Sequence, residues 1–181
     1  MNPNPALQGR TIALVGLMGV GKSTIGRKLA TALDIPFRDA DTEIEKAAGR
    51  SISDIFAERG EDEFRAGERR VIARMMEEDP HVLATGGGAF MNPETRVLIK
   101  DKAISVWLKA DLDVLVRRVS RKDTRPLLVG RDPRKVLKAL IKERYPIYAL
   151  ADIVIETDDR PANAAVESIL AALSERLERA E

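Results

Sequence analysis

The sequence has no cysteine, only one histidine and no excess of charge of either sign. Without cysteine the chain can form neither a disulfide nor a thiolate metal site, and His81 alone argues against a histidine-based metal site. The 30 lysine and arginine residues nearly balance the 29 aspartate and glutamate residues, which leaves a net charge of +1. This balance excludes a global field that would attract nucleic acid, so any preference for anions must be local.

Long apolar runs are also missing from the sequence. No stretch approaches 18 consecutive apolar residues, and the first ten residues contain no apolar segment of the kind found in signal peptides. We therefore expect a cytoplasmic protein that neither enters a membrane nor binds nucleic acid. Residues 1–10 contain two Asn-Pro pairs and no periodicity. They predict a flexible N-terminal arm before one domain over residues 11–181.

Two periodicities alternate along the rest of the chain. Short apolar segments predict strands, and the segments between them repeat apolar residues at helical spacing. The predicted strands cover residues 11–16, 35–41, 82–85, 103–108 and 152–156. Strands that alternate with helices favour an α/β fold, in which a five-stranded parallel sheet is flanked by helices. In such sheets ligands bind at the carboxyl ends of the strands.

Several single residues fit this pattern. Asn92 followed by Pro93 predicts the start of a helix. Trp107, Met75 and Met76 are predicted to pack in the core or between helices, whereas His81 is expected at the surface, where the third strand begins.

The segment GLMGVGKS at residues 16–23 follows the first predicted strand and opens the first helix. It satisfies the G-x-x-x-x-G-K-S pattern of a P-loop, whose glycines let backbone N–H groups surround a phosphate. Lys22 is predicted to reach the β- and γ-phosphates of ATP, and Ser23 to ligate Mg²⁺. The alternative is a glycine-rich turn with a solvated lysine. We assign nucleotide binding to Gly19, Val20, Gly21, Lys22, Ser23 and Thr24.

Two other classes of P-loop protein fit the sequence less well. A regulatory GTPase normally carries Asn-Lys-x-Asp for guanine, and no asparagine here is followed by lysine. A motor or transport ATPase needs an acidic Mg²⁺ partner after a long apolar run, for which Asp111 and Glu156 are the candidates. Asp111 is more simply a helix cap, and Glu156 a charge at a strand end. The chain is also short for such a machine.

Two carboxylates follow the P-loop at the end of the second predicted strand. Asp39 and Asp41 are separated by one residue, so strand alternation is expected to place them on the same side. One would organise the Mg²⁺ shell and the other would accept or orient an acceptor hydroxyl. The alternative for Asp41 is capping of the helix that follows.

Glycine and arginine mark two further segments. Gly86, Gly87 and Gly88 directly follow the third predicted strand, where they permit either close approach of backbone to a ligand or a flexible turn. Residues 120–134 are rich in arginine and lysine and contain proline and glycine, which suits a mobile basic loop.

Six blocks in order carry a resemblance over residues 11–161. They are GLMGVGKSTIGRKLA at 16–30, FRDADTEIE at 37–45, GRSISDIFAERGEDEFRAGE at 49–68, LATGGGAF at 83–90, RPLL at 125–128 and RYPIY at 144–148. In these blocks the chain resembles the shikimate kinases. The resemblance implies a P-loop fold like that of the nucleoside monophosphate kinases. It also implies a substrate-binding region at about 39–68 and a mobile lid at about 120–134.

The resemblance implies roles for the matching residues on the substrate side. Asp41 would hold shikimate hydroxyls and assist deprotonation of the 3-hydroxyl, while Asp39 would lie near the Mg²⁺ shell, ligating it through water. Arg65 and Arg144 would clamp the shikimate carboxylate. The alternative for each arginine is a solvated helix charge. The backbone of Gly87 and Gly88 would lie beside the ring.

On the nucleotide side the resemblance assigns two arginines. Arg125 would reach the ATP phosphates from the lid, and Arg118 would flank adenine. Arg160 is suggested for adenine by position alone and stays outside the assignment. The predicted catalytic residues are thus Lys22, Asp39, Asp41 and Arg125.

The reaction implied is transfer of the ATP γ-phosphoryl group to the 3-hydroxyl of shikimate, with Mg²⁺ required, in aromatic amino-acid biosynthesis. The family also favours a monomer. The alternatives are another P-loop metabolite kinase, acting on gluconate or a nucleoside monophosphate, and a nucleotide-dependent switch or binding module.

Overall fold

A computed structural model describes residues 7–121 and 128–179, which contain a five-stranded parallel sheet flanked by helices. The strands are β1 Thr11–Val15, β2 Phe37–Asp39, β3 Val82–Ala84, β4 Ala103–Lys109 and β5 Ile153–Glu156. Their order across the sheet is β2-β3-β1-β4-β5, and every pair is parallel. The predicted fold class is therefore confirmed.

Seven helices occur in the described part of the chain. They are α1 Lys22–Leu33, α2 Ala40–Ala48, α3 Ile52–Met75, α4 Pro93–Lys102, α5 Leu112–Val119, α6 Pro133–Tyr148 and α7 Ala162–Glu178. The predicted start of α4 is confirmed, because the Asn92 side chain accepts a hydrogen bond of 3.1 Å from the backbone of Thr95. Helix α3 is broken at Gly60, whose φ of 81° and ψ of 174° lie outside the helical region.

The position of β1 in the sheet determines where a ligand site can form. Strand β1 pairs with β3 on one side and with β4 on the other. The strands β2 and β3 therefore lie on one side of β1, and the later strands β4 and β5 lie on the other side. A crevice is expected at the carboxyl end of the strand where the order reverses in this way. All five residues of β1 are buried, as expected for a central strand covered on both faces.

The core is larger than predicted at two points. His81 is 1% exposed, so its prediction as a surface residue was wrong. His81 directly precedes β3, which lies between β2 and β1 in the sheet, so the surrounding elements cover its side chain. Burial lowers the pKa of the His81 imidazole.

Leu7, within the predicted N-terminal arm, is also buried, so packing begins ahead of Thr11. Residues 1–6 of the predicted arm lie outside the described residues. Trp107 and Met75 are buried as predicted.

None of the helices in the described ranges is both long and apolar enough to cross a lipid bilayer.

Candidate active site

A cleft of about 1120 Å³ opens at the carboxyl ends of the central strands. Its wall combines the turn after β1, the glycines after β3, part of α3 and the loop between β5 and α7. Sites for single small molecules typically have volumes of about 300 to 1,000 Å³. The cleft is therefore large enough for two ligands side by side.

The turn after β1 has the geometry that a P-loop requires. Gly19 and Gly21 have φ angles of 83° and 101°, which residues other than glycine rarely adopt. A Cβ on Gly19 would also lie 2.7 Å from Val119 of α5. The Lys22 ammonium donates hydrogen bonds of 2.7 and 3.1 Å to the carbonyl oxygens of Gly16 and Leu17. The lysine thus lies over the loop, at the N-terminus of α1, where an anion is favoured.

Asp39 joins the P-loop helix to the second strand. The Ser23 hydroxyl donates to one Asp39 carboxylate oxygen at 2.8 Å, and the other oxygen accepts from the backbone N–H groups of Asp41 and Thr42 at 2.9 and 3.3 Å. Asp39 is therefore the N-cap of α2. A hydroxyl and a carboxylate side by side are the oxygen donors that Mg²⁺ prefers.

The structure corrects the reasoning that placed Asp39 and Asp41 on one side of a strand. Strand β2 ends at Asp39, and Asp41 already belongs to the first turn of α2. Strand alternation therefore does not relate the two side chains. The alternative interpretation of Asp41 as a helix cap was also wrong, because Asp39 makes the capping hydrogen bonds.

Asp41 lies at the cleft beside a second carboxylate. A Cβ built on Gly86 would be 3.1 Å from Asp41 Oδ1 and 2.9 Å from Glu68 Oε2, so both carboxylates meet at this glycine. The Asp41 residue is exposed toward the cleft, yet the surrounding protein raises the pKa of its carboxyl group by desolvation. The charge of Asp39 raises this pKa further, while Lys22 and Arg65 oppose the shift.

The three glycines after β3 are each covered by a charged side chain. A Cβ on Gly87 would lie 3.0 Å from Arg144 Nη1, and a Cβ on Gly88 would lie 2.4 Å from Arg65 Nη2. Any larger residue would displace these guanidinium groups. The glycines therefore form a close-packed turn rather than a flexible one, and the interpretation as close approach of the backbone is favoured.

Two guanidinium groups reach this turn from different helices. Arg65 of α3 donates to Glu68 at 2.9 Å and lies with its guanidinium carbon 5.1 Å from the Phe64 ring centroid. Arg144 of α6 is 8% exposed, and its Nε has no hydrogen-bond partner in the described part of the protein. Neither arginine is a solvated helix charge. Both guanidinium groups lie against the same turn, an arrangement whose chemistry suits a planar anion such as a carboxylate.

Comparison with known proteins identifies the family. A family model described as shikimate kinase matches residues 18–174. The shikimate kinase of Caulobacter vibrioides (strain NA1000 / CB15N) is 66% identical over 167 residues, covering 92% of this chain and 84% of that protein. The shikimate kinase of Brucella canis is 51% identical over 173 residues, covering 96% and 86%. The chain belongs to the shikimate kinase family.

A solved structure of the family agrees with the fold. The shikimate kinase from Acinetobacter baumannii in complex with shikimate superposes with a TM-score of 0.88 at 38% identity, covering 92% of this chain and 94% of that chain. As a shikimate kinase family member, the chain is a phosphotransferase that uses ATP as donor and an alcohol as acceptor.

The sequence analysis assigned no role to Glu68, whose carboxylate is buried in this shikimate kinase family member. Its side chain is 4% exposed, and Oε2 has no partner among the described residues. Burial raises the pKa of Glu68, and the charge of Arg65 opposes this. A signal was present, since Glu68 falls at helical spacing within the apolar stripe that contains Phe64 and Val71. A charge within such a stripe requires a partner, which is Arg65.

Arg118, which was predicted to flank adenine, lines the same cleft. Arg118 donates to the carbonyl oxygen of Val20 at 2.7 Å and to that of Asp158, so it joins the P-loop to the loop after β5. Arg160 also lines the cleft and pairs with the Asp158 carboxylate at 2.8 Å. Arg125 lies outside the described residues, as does part of the predicted lid.

Proposed function

We propose that this chain transfers the γ-phosphoryl group of ATP to the 3-hydroxyl of shikimate, giving shikimate 3-phosphate and ADP. The observation that carries the proposal is a single cleft. The P-loop lines one part of it, and Arg65 and Arg144, which lie against the glycine turn, line another part. Shikimate is a carboxylate with three hydroxyl groups. It therefore matches a site that offers guanidinium groups for an acid and carboxylates for hydroxyls.

The nucleotide half of the proposal assigns ATP to the P-loop. The backbone of residues 19–24 would surround the phosphates, and the Lys22 ammonium would exchange the loop carbonyls for β- and γ-phosphate oxygens. Arg118, between Val20 and Asp158, is suitably placed to flank adenine. Arg125 and the remainder of the lid at 120–134 would close over the phosphates and exclude water.

The acceptor half of the proposal assigns shikimate to the region of residues 39–68 and the glycine turn. Arg65 and Arg144 would bind the carboxylate, with the backbone of Gly87 and Gly88 next to the ring. Glu68 keeps Arg65 in place through the 2.9 Å hydrogen bond. Since both arginines already lie against the turn, little side-chain entropy is lost when the carboxylate binds.

Asp41 is proposed as the group that receives the proton. The 3-oxygen of shikimate forms a bond to the γ-phosphorus as the bond from that phosphorus to the β–γ bridging oxygen breaks, and ADP leaves with the bond's electrons. The proton of the 3-hydroxyl passes to the Asp41 carboxylate. The pKa of Asp41, raised by desolvation from the surrounding protein, makes its carboxylate a better proton acceptor than a fully solvated aspartate.

The residues present also fit Mg²⁺. Ser23 would ligate it directly and Asp39 through water, and the ion would neutralise charge on the phosphates. Within the described ranges there is no group of three or more acidic or histidine side chains that would form a protein-only metal cage. This suits Mg²⁺, which in such sites keeps waters and phosphate oxygens among its ligands.

The proposal extends to the setting of the enzyme. We place it in the cytoplasm, as a single domain and a monomer, in the biosynthesis of aromatic amino acids.

A coupled assay of ADP release tests the proposal. Purified protein is given ATP and Mg²⁺ with shikimate, gluconate or nucleoside monophosphates as acceptors in parallel. We expect turnover with shikimate and none above background with the others, because the two arginines and Asp41 match a hydroxylated carboxylate. Faster turnover of gluconate or of a nucleoside monophosphate would overturn the assignment.

A further inference from the structure

Tyr148, the last residue of α6, is completely buried. Its ring lies among other aromatic rings, with centroid distances of 5.9 Å to Trp107, 6.3 Å to Tyr145 and 6.5 Å to Phe90. A ring packed in this way keeps its hydroxyl in one direction. The hydroxyl donates a hydrogen bond to the carbonyl oxygen of Gly87.

This hydrogen bond holds the middle of the glycine turn. The carbonyl oxygens of Gly86 and Gly88 accept hydrogen bonds of 3.1 and 3.2 Å from backbone N–H groups in the 3₁₀ helix that follows, Ala89–Met91. The Gly87 carbonyl is instead held by a side chain from another element. Because three successive carbonyl oxygens are occupied within the protein, the turn has a defined orientation.

Peptide geometry transmits this contact to the substrate side. The peptide bond between Gly87 and Gly88 is trans and planar, so the Gly88 N–H points away from the Gly87 carbonyl oxygen. When Tyr148 fixes that oxygen, it also fixes the direction of the Gly88 N–H. The turn would rotate more freely without the hydroxyl, since glycine has few backbone constraints.

The same hydroxyl lies close to one of the two arginines. Arg144 lies one helical turn before Tyr148 on α6, and its positive charge opposes the rise that burial causes in the pKa of the Tyr148 hydroxyl. Arg144 Nη1 also lies 3.0 Å from the position that a Cβ on Gly87 would occupy. The hydroxyl therefore donates to the turn that the arginine covers and lies beside that arginine.

We propose that Tyr148 is a positioning residue for the carboxylate end of the acceptor, acting through Arg144 and the Gly87–Gly88 peptide. The proposal rests on the proposed function, in which Arg144 binds the shikimate carboxylate and the Gly87–Gly88 backbone lies next to the ring. Loss of the contact is therefore expected to weaken acceptor binding most where a carboxylate pairs with Arg144.

The protonation state of Tyr148 is suited to this role. Burial raises the pKa of its hydroxyl to about 12, so the group stays protonated and can donate at any pH at which the enzyme is assayed.

Tyr145 supplies a matched control on the same helix. Its hydroxyl donates to the carbonyl oxygen of Ala110 at 2.6 Å, and its ring packs 4.9 Å from Trp107. Tyr145→Phe thus removes the same kind of hydrogen bond from the same aromatic cluster without touching the glycine turn. A general loss of packing or stability would appear in both variants.

The test compares Tyr148→Phe, Tyr145→Phe and the unchanged protein. KM is measured for ATP, for shikimate and for the primary alcohol analogue in which CH2OH replaces the carboxylate, and thermal unfolding is followed in parallel. Loss of one hydrogen bond with a buried carbonyl left unpaired predicts a rise of about three- to tenfold in the shikimate KM of Tyr148→Phe. We expect the KM for ATP to change less than about twofold, because ATP does not pair with Arg144. The KM for the alcohol should rise less than the KM for shikimate, because CH2OH cannot form an ion pair with Arg144.

Three outcomes would overturn the proposal. They are an unchanged shikimate KM in Tyr148→Phe, an equal rise in Tyr145→Phe, and an equal rise for shikimate and its alcohol. KM does not depend on the concentration of active enzyme, so partial unfolding of a variant leaves these comparisons valid. If the unchanged protein does not turn over shikimate, the proposed function fails instead, and the two failures are thereby distinguished.

Discussion

Charged residues in the cleft are arranged as alternating partners rather than as one basic patch. Arg65 pairs with Glu68 and lies against the glycine turn, and Asp41 and Glu68 both lie next to Gly86. Arg65 and Glu68 therefore hold each other before any ligand binds. The functional consequence of changing one residue depends on which partner it leaves behind.

Arg65→Ala is predicted to weaken the interaction with shikimate. Removing one partner of a close charge pair typically costs about 2 to 5 kcal/mol, which would appear mostly in the KM for shikimate. Steady-state kinetics with ATP at saturation measures this. Arg70→Ala, an exposed change on the same helix, is the matched control and should leave the KM unchanged.

The Arg65 variant also leaves the buried Glu68 carboxylate without its hydrogen-bond donor. Glu68→Gln combined with Arg65→Ala separates the two effects. If the double variant recovers the original KM, the loss came from the unpaired carboxylate, and Arg65 does not bind the substrate.

Asp41 is predicted to determine the acidic limb of the pH profile. Proton transfer requires the charged carboxylate, so kcat/KM for shikimate falls as pH falls through the pKa of Asp41 in the free enzyme. Since desolvation raises that pKa, the fall begins at a higher pH than for an ordinary aspartate. The profile of kcat/KM is measured because it reports groups of the free enzyme.

Asp41→Asn is the companion variant for this profile. Loss of a general base typically lowers kcat by about 10²- to 10⁴-fold, and the acidic limb should disappear with it. An unchanged kcat would exclude Asp41 as the proton acceptor.

At the scale of elements, the strands and most helices were predictable because their apolar periodicities differ. The segment around Asp39 and Asp41 was not, since the strand stops after three residues and its last side chain caps the next helix. Likewise, His81 carries no sequence signal of burial, because its cover depends on the neighbours that β3 acquires in the sheet. Local pattern therefore predicts elements well and their junctions poorly.

Alanine substitutions at two helical glycines are predicted to change the stability of the protein in opposite directions. A Cβ on Gly26 of α1 would lie 2.6 Å from the Phe37 ring and 3.2 Å from Leu14. A Cβ on Gly67 of α3 would meet only Arg70, at 3.8 Å. We expect Gly26→Ala to destabilise the protein by about 1 to 3 kcal/mol through overpacking. Gly67→Ala should stabilise it by about 0.5 to 1 kcal/mol.

Denaturant unfolding of the two variants measures the difference. If the Gly26→Ala variant is as stable as the unchanged protein, α1 does not pack closely on β2. Destabilisation by Gly67→Ala would mean that α3 has a neighbour on that face.

At the scale of the whole molecule, strand order brings the candidate site together. The P-loop, the two aspartates and the glycine turn are far apart in sequence, but they follow β1, β2 and β3, which are neighbours in the sheet. The rule that parallel strands present their carboxyl ends on one edge predicted this meeting. It did not predict that each glycine of the turn is covered by Arg65, Arg144 or the carboxylate pair, because those contacts depend on how α3 and α6 pack.

The mechanism requires one cleft to hold ATP and shikimate so that the acceptor hydroxyl faces the terminal phosphate. A crystal structure with Mg²⁺, a non-hydrolysable ATP analogue and shikimate would show this arrangement. We expect the carboxylate between Arg65 and Arg144, and the 3-hydroxyl between Asp41 and the γ-phosphate. Shikimate bound with its carboxylate toward the P-loop, or outside this cleft, would rule the mechanism out.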